Sequence, residues 1–403
     1  MNLDVLIVGG GMVGTSLACA LGDSGLKIGI VDVRAPSTPS PEGIDARVSA
    51  ITLASAQILG QIGVWERLPQ ERVTPVEAMH IWETRGEIRF DAADIGEACL
   101  AHIVENAALQ RALSERLSSF ANVQTWWPVE IESIAFDEVQ AVLTLKDSRR
   151  LSARLLVGAD GAESVVRRSA ALETRRLDMR QKGIVAWVRT ERPHGRVARQ
   201  RFLPTGPLAF LPLADPQVCS IVWSADTARA DALLALSDAT FVDELQSAFG
   251  DALGQIIAVG PRLAFSLALA HVERYTATRL ALIGDAAHTV HPLAGQGANL
   301  GFLDAAALAE QILVAAHHGR DLGASTALRR FERARKGDNL GMIAVTGGFK
   351  YLFGNGSSTL RWLRNIGLSL TDRVSPAKRL LMRRAAGLTG DLPALARRPG
   401  MMK

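Results

Sequence analysis

Gly9-x-Gly11-x-x-Gly14 restricts the fold of this chain more than any other feature. It follows a short apolar run, Asp4–Val8, and leads into Met12–Asp23, a stretch rich in small residues. The run predicts a buried strand and the stretch a helix. Lys27–Val33 predicts a second strand, parallel to the first. Glycines at these three positions allow a tight turn, close approach of a pyrophosphate and close helix–sheet packing. The helix N-terminus then presents free N–H groups and a positive dipole end to the phosphates. Asp32, 23 residues after Gly9, ends the second strand and suits a ribose hydroxyl. A bound dinucleotide is expected. Gly295-x-Gly297-x-x-x-Gly301 has a different spacing, so a second nucleotide would visit without such a domain of its own.

With 403 residues, 48% hydrophobic and 21% charged, the chain has room for two to three cored domains, which excludes disorder and a disulfide scaffold. Aromatic residues make up 5%, too few for a base-stacking surface, so no nucleic acid is expected. Cys19, Cys99 and Cys219 form no Cys-x-x-Cys pair; no metal site is expected, and the sparse count fits a reducing cytosol. The start, MNLDVLIVGGG, lacks the marks of a secretory signal. Val48–Trp65 is uncharged but broken by polar residues, so it reads as a buried helix and not a membrane span.

Val48–Leu59 and Ile103–Leu117 have helical spacing, and Val129–Val157 suggests antiparallel strands. Lys182–Trp223 and Leu263–Ala270 read as strands, with a helix over Asp231–Phe249. Leu280–Ile283 reads as a buried strand, a long helix begins near Ala298, and the chain is mostly helical after Ser325.

Two further segments follow predicted strands. Gly158-Ala159-Asp160-Gly161 leads to Ser164 and Arg167; Gly284-Asp285-Ala286-Ala287-His288 leads to Pro292-Leu293-Ala294-Gly295-Gln296-Gly297-Ala298-Asn299. In this order the three segments resemble the class A flavoprotein aromatic hydroxylases, the group of p-hydroxybenzoate hydroxylase. Asp45-Ala-Arg47-Val-Ser-Ala-Ile51, Gln200–Ala209, His291–Gly301, Phe331–Asn339 and Leu363–Leu368 are similar to the ubiquinone-biosynthesis hydroxylases within that group. The matches run from residue 7 to about 387.

The resemblance implies an α/β fold: a Rossmann-like FAD-binding domain, an inserted mixed β-sheet substrate domain and a C-terminal helical region. The expected division is 1–75, 100–180 and 275–325 for FAD, 76–99 and 181–274 for substrate, and 326–403 for the helical region. It implies FAD held by Gly9, Gly11, Gly14, Asp32, Arg47, Asn106, Gln110, Asp160, Gly161, Gly284, Asp285, Pro292, Gly295, Gly297, Ala298 and Asn299. Asp285 would bind the ribityl chain, the Pro292–Asn299 loop the isoalloxazine, and Arg47 the pyrophosphate. Asp32 stands where the family usually has Glu, and Asn106 where many members have Arg. NAD(P)H would be the transient reductant and O2 the co-substrate. A polyprenylated phenol would be hydroxylated through a flavin C4a-hydroperoxide, so no catalytic triad is expected. His291, Pro292, Arg201 and Phe202 are candidates for lining the site.

Plainer roles stand beside these. His288 and His291 fit structural support, Asp160 fits an Asx turn, and Trp126-Trp127 fits core packing. Hydroxylation of another phenol, prenyl reduction and a non-catalytic FAD-binding scaffold are the alternative functions. Arg361–Lys403 holds ten Lys and Arg against two Asp, a net +8. The preceding residues therefore hold −4 of the chain's +4. This tail fits either a solvated or packed helical cap or a basic amphipathic surface for anionic lipid. The expected setting is cytoplasmic and peripheral to the inner membrane, beside other ubiquinone-biosynthesis proteins or in a homo-oligomer.

Overall fold

The computed structural model describes residues 2–36, 43–83, 86–290, 296–354 and 375–398. Strand Asn2–Val8 lies between Ile28–Val31 and Arg150–Gly158, parallel to both, inside an eight-stranded sheet. Leu280–Leu282 and Val123–Trp126 extend the parallel part on either side. Val5–Val8 are buried, as a parallel strand covered on both faces requires. Helix Met12–Ala20 connects the first two strands. Helix Gln296–His317 packs on it so closely that a Cβ at Gly301 would lie 2.4 Å from Val13 Cγ2. Its Gly297–His317 part is long and apolar enough to cross a bilayer, but most of it is buried inside the protein. It serves here as a core helix. Trp126 and Trp127 pack against the same core.

Two stretches with helical spacing begin as strands. Val48–Thr52 pairs antiparallel with Ala101–Glu105, which also pairs with Val73–Val76, and helices begin only at Leu53 and Asn106. Val48, Ile51, Thr52, Ile103 and Val104 are β-branched, and pairing across more than 50 residues decides their conformation.

A nine-stranded sheet forms the second layer. Its longest strand, Thr174–Thr190, pairs with Val218–Asp226 and Leu263–Val272. That strand runs through residue 180, and its pairing with Leu263–Val272 already begins at Thr174. Helices Thr227–Leu234 and Asp238–Phe249 cover one face, laying Phe241 and Phe249 over Phe210, Ile221 and Trp223. The expected single helix is split because the Ser237 side chain accepts from Thr240 N and starts the second one. The other face meets the three-stranded sheet through Val76, Ile103, Ala198 and Val218. Of two further helices, Ser325–Gly354 packs on Gln296–His317, and Ser375–Ala385 packs at the end of strand Glu87–Asp91 of the second sheet, where Met382 meets Ile95 and Phe90.

Candidate cofactor site

The glycine turn has no room for side chains where it touches the sheet. Gly9 has φ +113°, and a Cβ there would lie 2.3 Å from the Ala159 carbonyl oxygen. A Cβ at Gly14 would lie 2.0 Å from the Gly9 carbonyl oxygen. At Gly11 a Cβ would meet nothing within 4 Å, and no side chain caps the helix that starts there. The turn is thus packed on its inner side and open on its outer side, at a helix N-terminus.

Four expected residues gather around this opening. Asp32 Oδ2 accepts from Gly10 N at 2.6 Å, and Oδ1 accepts from Arg34 N at 2.8 Å. Gln110 Nε2 donates to the Gly10 carbonyl at 2.9 Å. Asn106 Oδ1 accepts from Ser49 Oγ at 2.7 Å, and its N–H reaches the Arg47 carbonyl at 3.0 Å. Arg47 itself is exposed. Asp45 holds this junction by accepting from Arg47 N and Ala107 N.

The second part of the site is the turn after Leu280–Leu282. Gly284 has φ +59°. Asp285 is open to solvent, yet protein surrounds it closely enough that desolvation raises its carboxyl pKa. A carboxylate so enclosed and still open to solvent is available to a polar ligand. A Cβ at Gly297 would come 4.0 Å from Asp285 Oδ1, so the long helix begins beside it.

The chain matches the family described as FAD binding domain over residues 2–336. The chain belongs to that family. Its cofactor is FAD, and the cradle fits it: an uncapped helix N-terminus for phosphates, Asp32 at the second strand end, and a solvent-accessible carboxylate at Asp285. Ubiquinone hydroxylase UbiL of Rhodospirillum rubrum is 39% identical over 385 residues, covering 95% of this chain and 89% of its own length. The 3-demethoxyubiquinol 3-hydroxylase of Escherichia coli is 35% identical, covering 96% and 98%. The structure of p-nitrophenol 4-monooxygenase PnpA from Pseudomonas putida superposes with a TM-score of 0.78 at 20% identity, covering 96% of this chain and 99% of that one. That last likeness shows the shared fold.

Three expected FAD-site or substrate-site residues are turned elsewhere. The Asp160 carboxylate accepts from Ser164 Oγ, Val165 N and Val166 N, so it caps helix Val165–Ser169. Gly161, at φ +81°, makes that turn possible. Asn299 is buried; it accepts from Thr52 N at 2.9 Å and donates to the Ala50 carbonyl at 2.7 Å. Its side chain pins strand Val48–Thr52. Arg201 donates to the Ala248 carbonyl at 2.8 Å, at the end of helix Asp238–Phe249, and so points away from the cofactor layer. Phe202, the next residue, lies on the opposite face, shared with Ala198 that packs toward the three-stranded sheet. Ala298 sits in the first turn of the long helix. His291, Pro292 and Gly295 lie outside the described residues.

A buried cluster behind the Gly284–His288 turn was missed by motif reading. Asp304 accepts from His288 Nε2 at 2.5 Å, Arg335 Nε at 2.9 Å, Gly284 N at 3.1 Å and Asn339 Nδ2 at 3.2 Å. His288 therefore supports the turn. The donors facing Asp304 hold its carboxyl at about 2 despite complete burial. Arg167 adds a second tie, donating to the Ala286 and Ala162 carbonyls at 2.9 and 2.7 Å. The available signal was one acid in the otherwise apolar stretch Leu300–Ala309.

Proposed function

We propose that the chain is an FAD-dependent monooxygenase that uses NAD(P)H and O2 to hydroxylate the ring of a polyprenylated phenol in ubiquinone biosynthesis. The carrying observation is identity of 35–39% with two named ubiquinone-pathway hydroxylases over nearly the whole chain. When bound, FAD supplies the redox and oxygen chemistry. The glycine turn and Arg47 would hold its pyrophosphate, Asp32 a ribose, and Asp285 the ribityl chain. Asn106 and Gln110 would fix the wall between them. Asp160, Gly161, Gly284 and Gly297 shape the turns around it. The protein's own task is to orient the ring on the Phe202 face and to exclude water.

The purified holoenzyme should oxidise NAD(P)H and consume O2 faster when a prenylated phenol is added. With labelled O2, one labelled oxygen should appear on the product ring. Flavin retention with no response to any phenol would favour the scaffold reading.

The same reading places the protein at a membrane surface with other pathway proteins. Helix Ser375–Ala385 supports this: Leu380 and Leu381 are 63% and 53% exposed, beside exposed Arg379 and Arg384. Apolar side chains flanked by cations suit an anionic lipid interface. The remaining basic residues at 361–374 and 399–403 lie outside the described residues. Leu380→Ser with Leu381→Ser should lower binding to phosphatidylglycerol vesicles by about 30-fold or more, since burying the exposed part of each leucine is worth ~1–2 kcal/mol. Unchanged flotation would remove the lipid role from this helix.

A further inference from the structure

We propose that a groove between strands Thr174–Thr190 and Leu263–Val272 and helix Ser325–Gly354 seats the isoprenoid tail of the substrate. The inference rests on the monooxygenase reading and adds a subsite to it. The groove holds about 590 Å³, and Leu177, Leu269, Ala270 and Leu340 form its apolar lining. Leu177 is 61% and Leu340 43% exposed, so large apolar side chains stand in water there.

Each of the three cations in the groove has a carboxylate partner, Glu273 within the lining and Glu163 and Glu332 beside it. Arg175 pairs with Glu273 at 2.7 Å, Arg176 with Glu163 at 2.5 Å, and Lys336 with Glu332 at 3.8 Å. With each cation already facing a carboxylate, the groove offers little net charge to an anion. Its lining suits a neutral, apolar ligand.

Its position joins the cofactor layer to the proposed lipid surface. Side chains alternate along a strand, so Leu263, Phe265, Leu267, Leu269 and His271 share one face. Phe265 pairs with Gly183, two residues from Val185 and four from Trp187 on that same face. Trp187 packs on the cluster of Val76 and Ile103, beside strand Val48–Thr52 that carries Ser49 and strand Ala101–Glu105 that leads into Asn106. The apolar row therefore lies on the cofactor side of the sheet. Ala270 and His271 pair directly with Thr289 and His288, the strand that follows the turn carrying Asp285. At the other end, Leu340 is followed by Gly341, where a Cβ would lie 3.7 Å from Arg384 Nη2. The groove thus adjoins the basic helix with exposed Leu380 and Leu381. A tail laid along it would leave the ring near the flavin and emerge at lipid.

Two measurements on the FAD-loaded enzyme test this. The first uses a prenylated phenol with a diazirine near the tail end, followed by peptide mass spectrometry. Adducts at Leu177, Leu269 or Leu340 are expected. Adducts confined to other surfaces, or to residues 355–374, overturn the groove. The second compares KM for a long-tailed and an untailed phenol. Leu177→Ser with Leu340→Ser should raise the tailed-to-untailed KM ratio about tenfold, while Ile257→Ser, equally exposed but remote from the groove, should leave it alone. An unchanged ratio in the double variant overturns the proposal. If the wild type turns over no phenol, the hydroxylase reading fails by itself, and the labelling pattern still decides whether a tail binds here.

Discussion

Asp304→Asn should lower the midpoint of thermal unfolding by about 4–6 °C and weaken FAD retention. Asp304 is completely buried and is the only partner shared by His288, Arg335, Asn339 and the Gly284 amide among the described hydrogen bonds. An amide in its place leaves the Arg335 guanidinium, 1% exposed, without its buried counter-charge. Breaking a buried pair from one side costs about 3–5 kcal/mol. At ~2.1 cal/mol/K of unfolding entropy per residue, each kcal/mol moves the midpoint of a 403-residue chain by about 1.2 °C. The loss also reaches the cofactor, because Asp304 ties the turn carrying Asp285 to two helices. Arg335→Met in the same chain should recover part of the stability, since it removes a buried guanidinium whose remaining carboxylate partner is the partly exposed Asp338. Full additivity of the two substitutions would contradict the coupling.

The pH dependence follows from the same carboxyl. Folding depresses its pKa from 3.8 to about 2. The unfolded chain therefore binds more protons between those values, and stability rises with pH across that window. At ~1.4 kcal/mol per unit, the contribution is about 2 kcal/mol. It is complete above about pH 4 and is lost as pH falls toward 2. Acid unfolding of the wild type should show this component, and Asp304→Asn should lack it. Identical acid profiles for the two would sink the assignment.

What could be read from the sequence was local. Gly9, Gly11, Gly14 and Asp32 act within one strand–helix–strand unit, so their spacing alone places them around one open helix N-terminus. Asp160 was also readable, but as a cap: an Asp before a Ser and a short helix satisfies backbone N–H groups first. Arg201 and Phe202 show the limit of adjacency. Neighbours on a strand face opposite layers, and only the packing of helix Asp238–Phe249 reveals which layer each one meets. Val48–Thr52 could not be told from a helix because its partner strand lies more than 50 residues away. Arg335 stands in a stretch that the family resemblance covers, yet its partner is 31 residues upstream on another helix. Spacing within one element carries no trace of such a contact.

The glycine turn allows folding and cofactor binding to be separated. Gly14→Ala should fail at folding: its methyl would sit 2.0 Å from the Gly9 carbonyl oxygen, a backbone atom that cannot step aside without moving the helix off the sheet. Gly9→Ala adds a positive φ to a similar collision with Ala159. Both should give little soluble protein, and none that is yellow. Gly11→Ala is different. Its φ is −71° and its methyl would meet nothing within 4 Å, so the apoprotein should unfold at nearly the wild-type temperature. That open space is where the phosphates must approach the helix N-terminus. A methyl there displaces them and forfeits about one charge-assisted hydrogen bond, ~1.5–3 kcal/mol, or roughly 10- to 100-fold in FAD affinity. Flavin fluorescence titration of the apoprotein measures it. If Gly11→Ala binds FAD like the wild type, the pyrophosphate does not lie over this turn. If Gly14→Ala folds and stays yellow, the close packing of helix Met12–Ala20 on the sheet is not what the glycines are for.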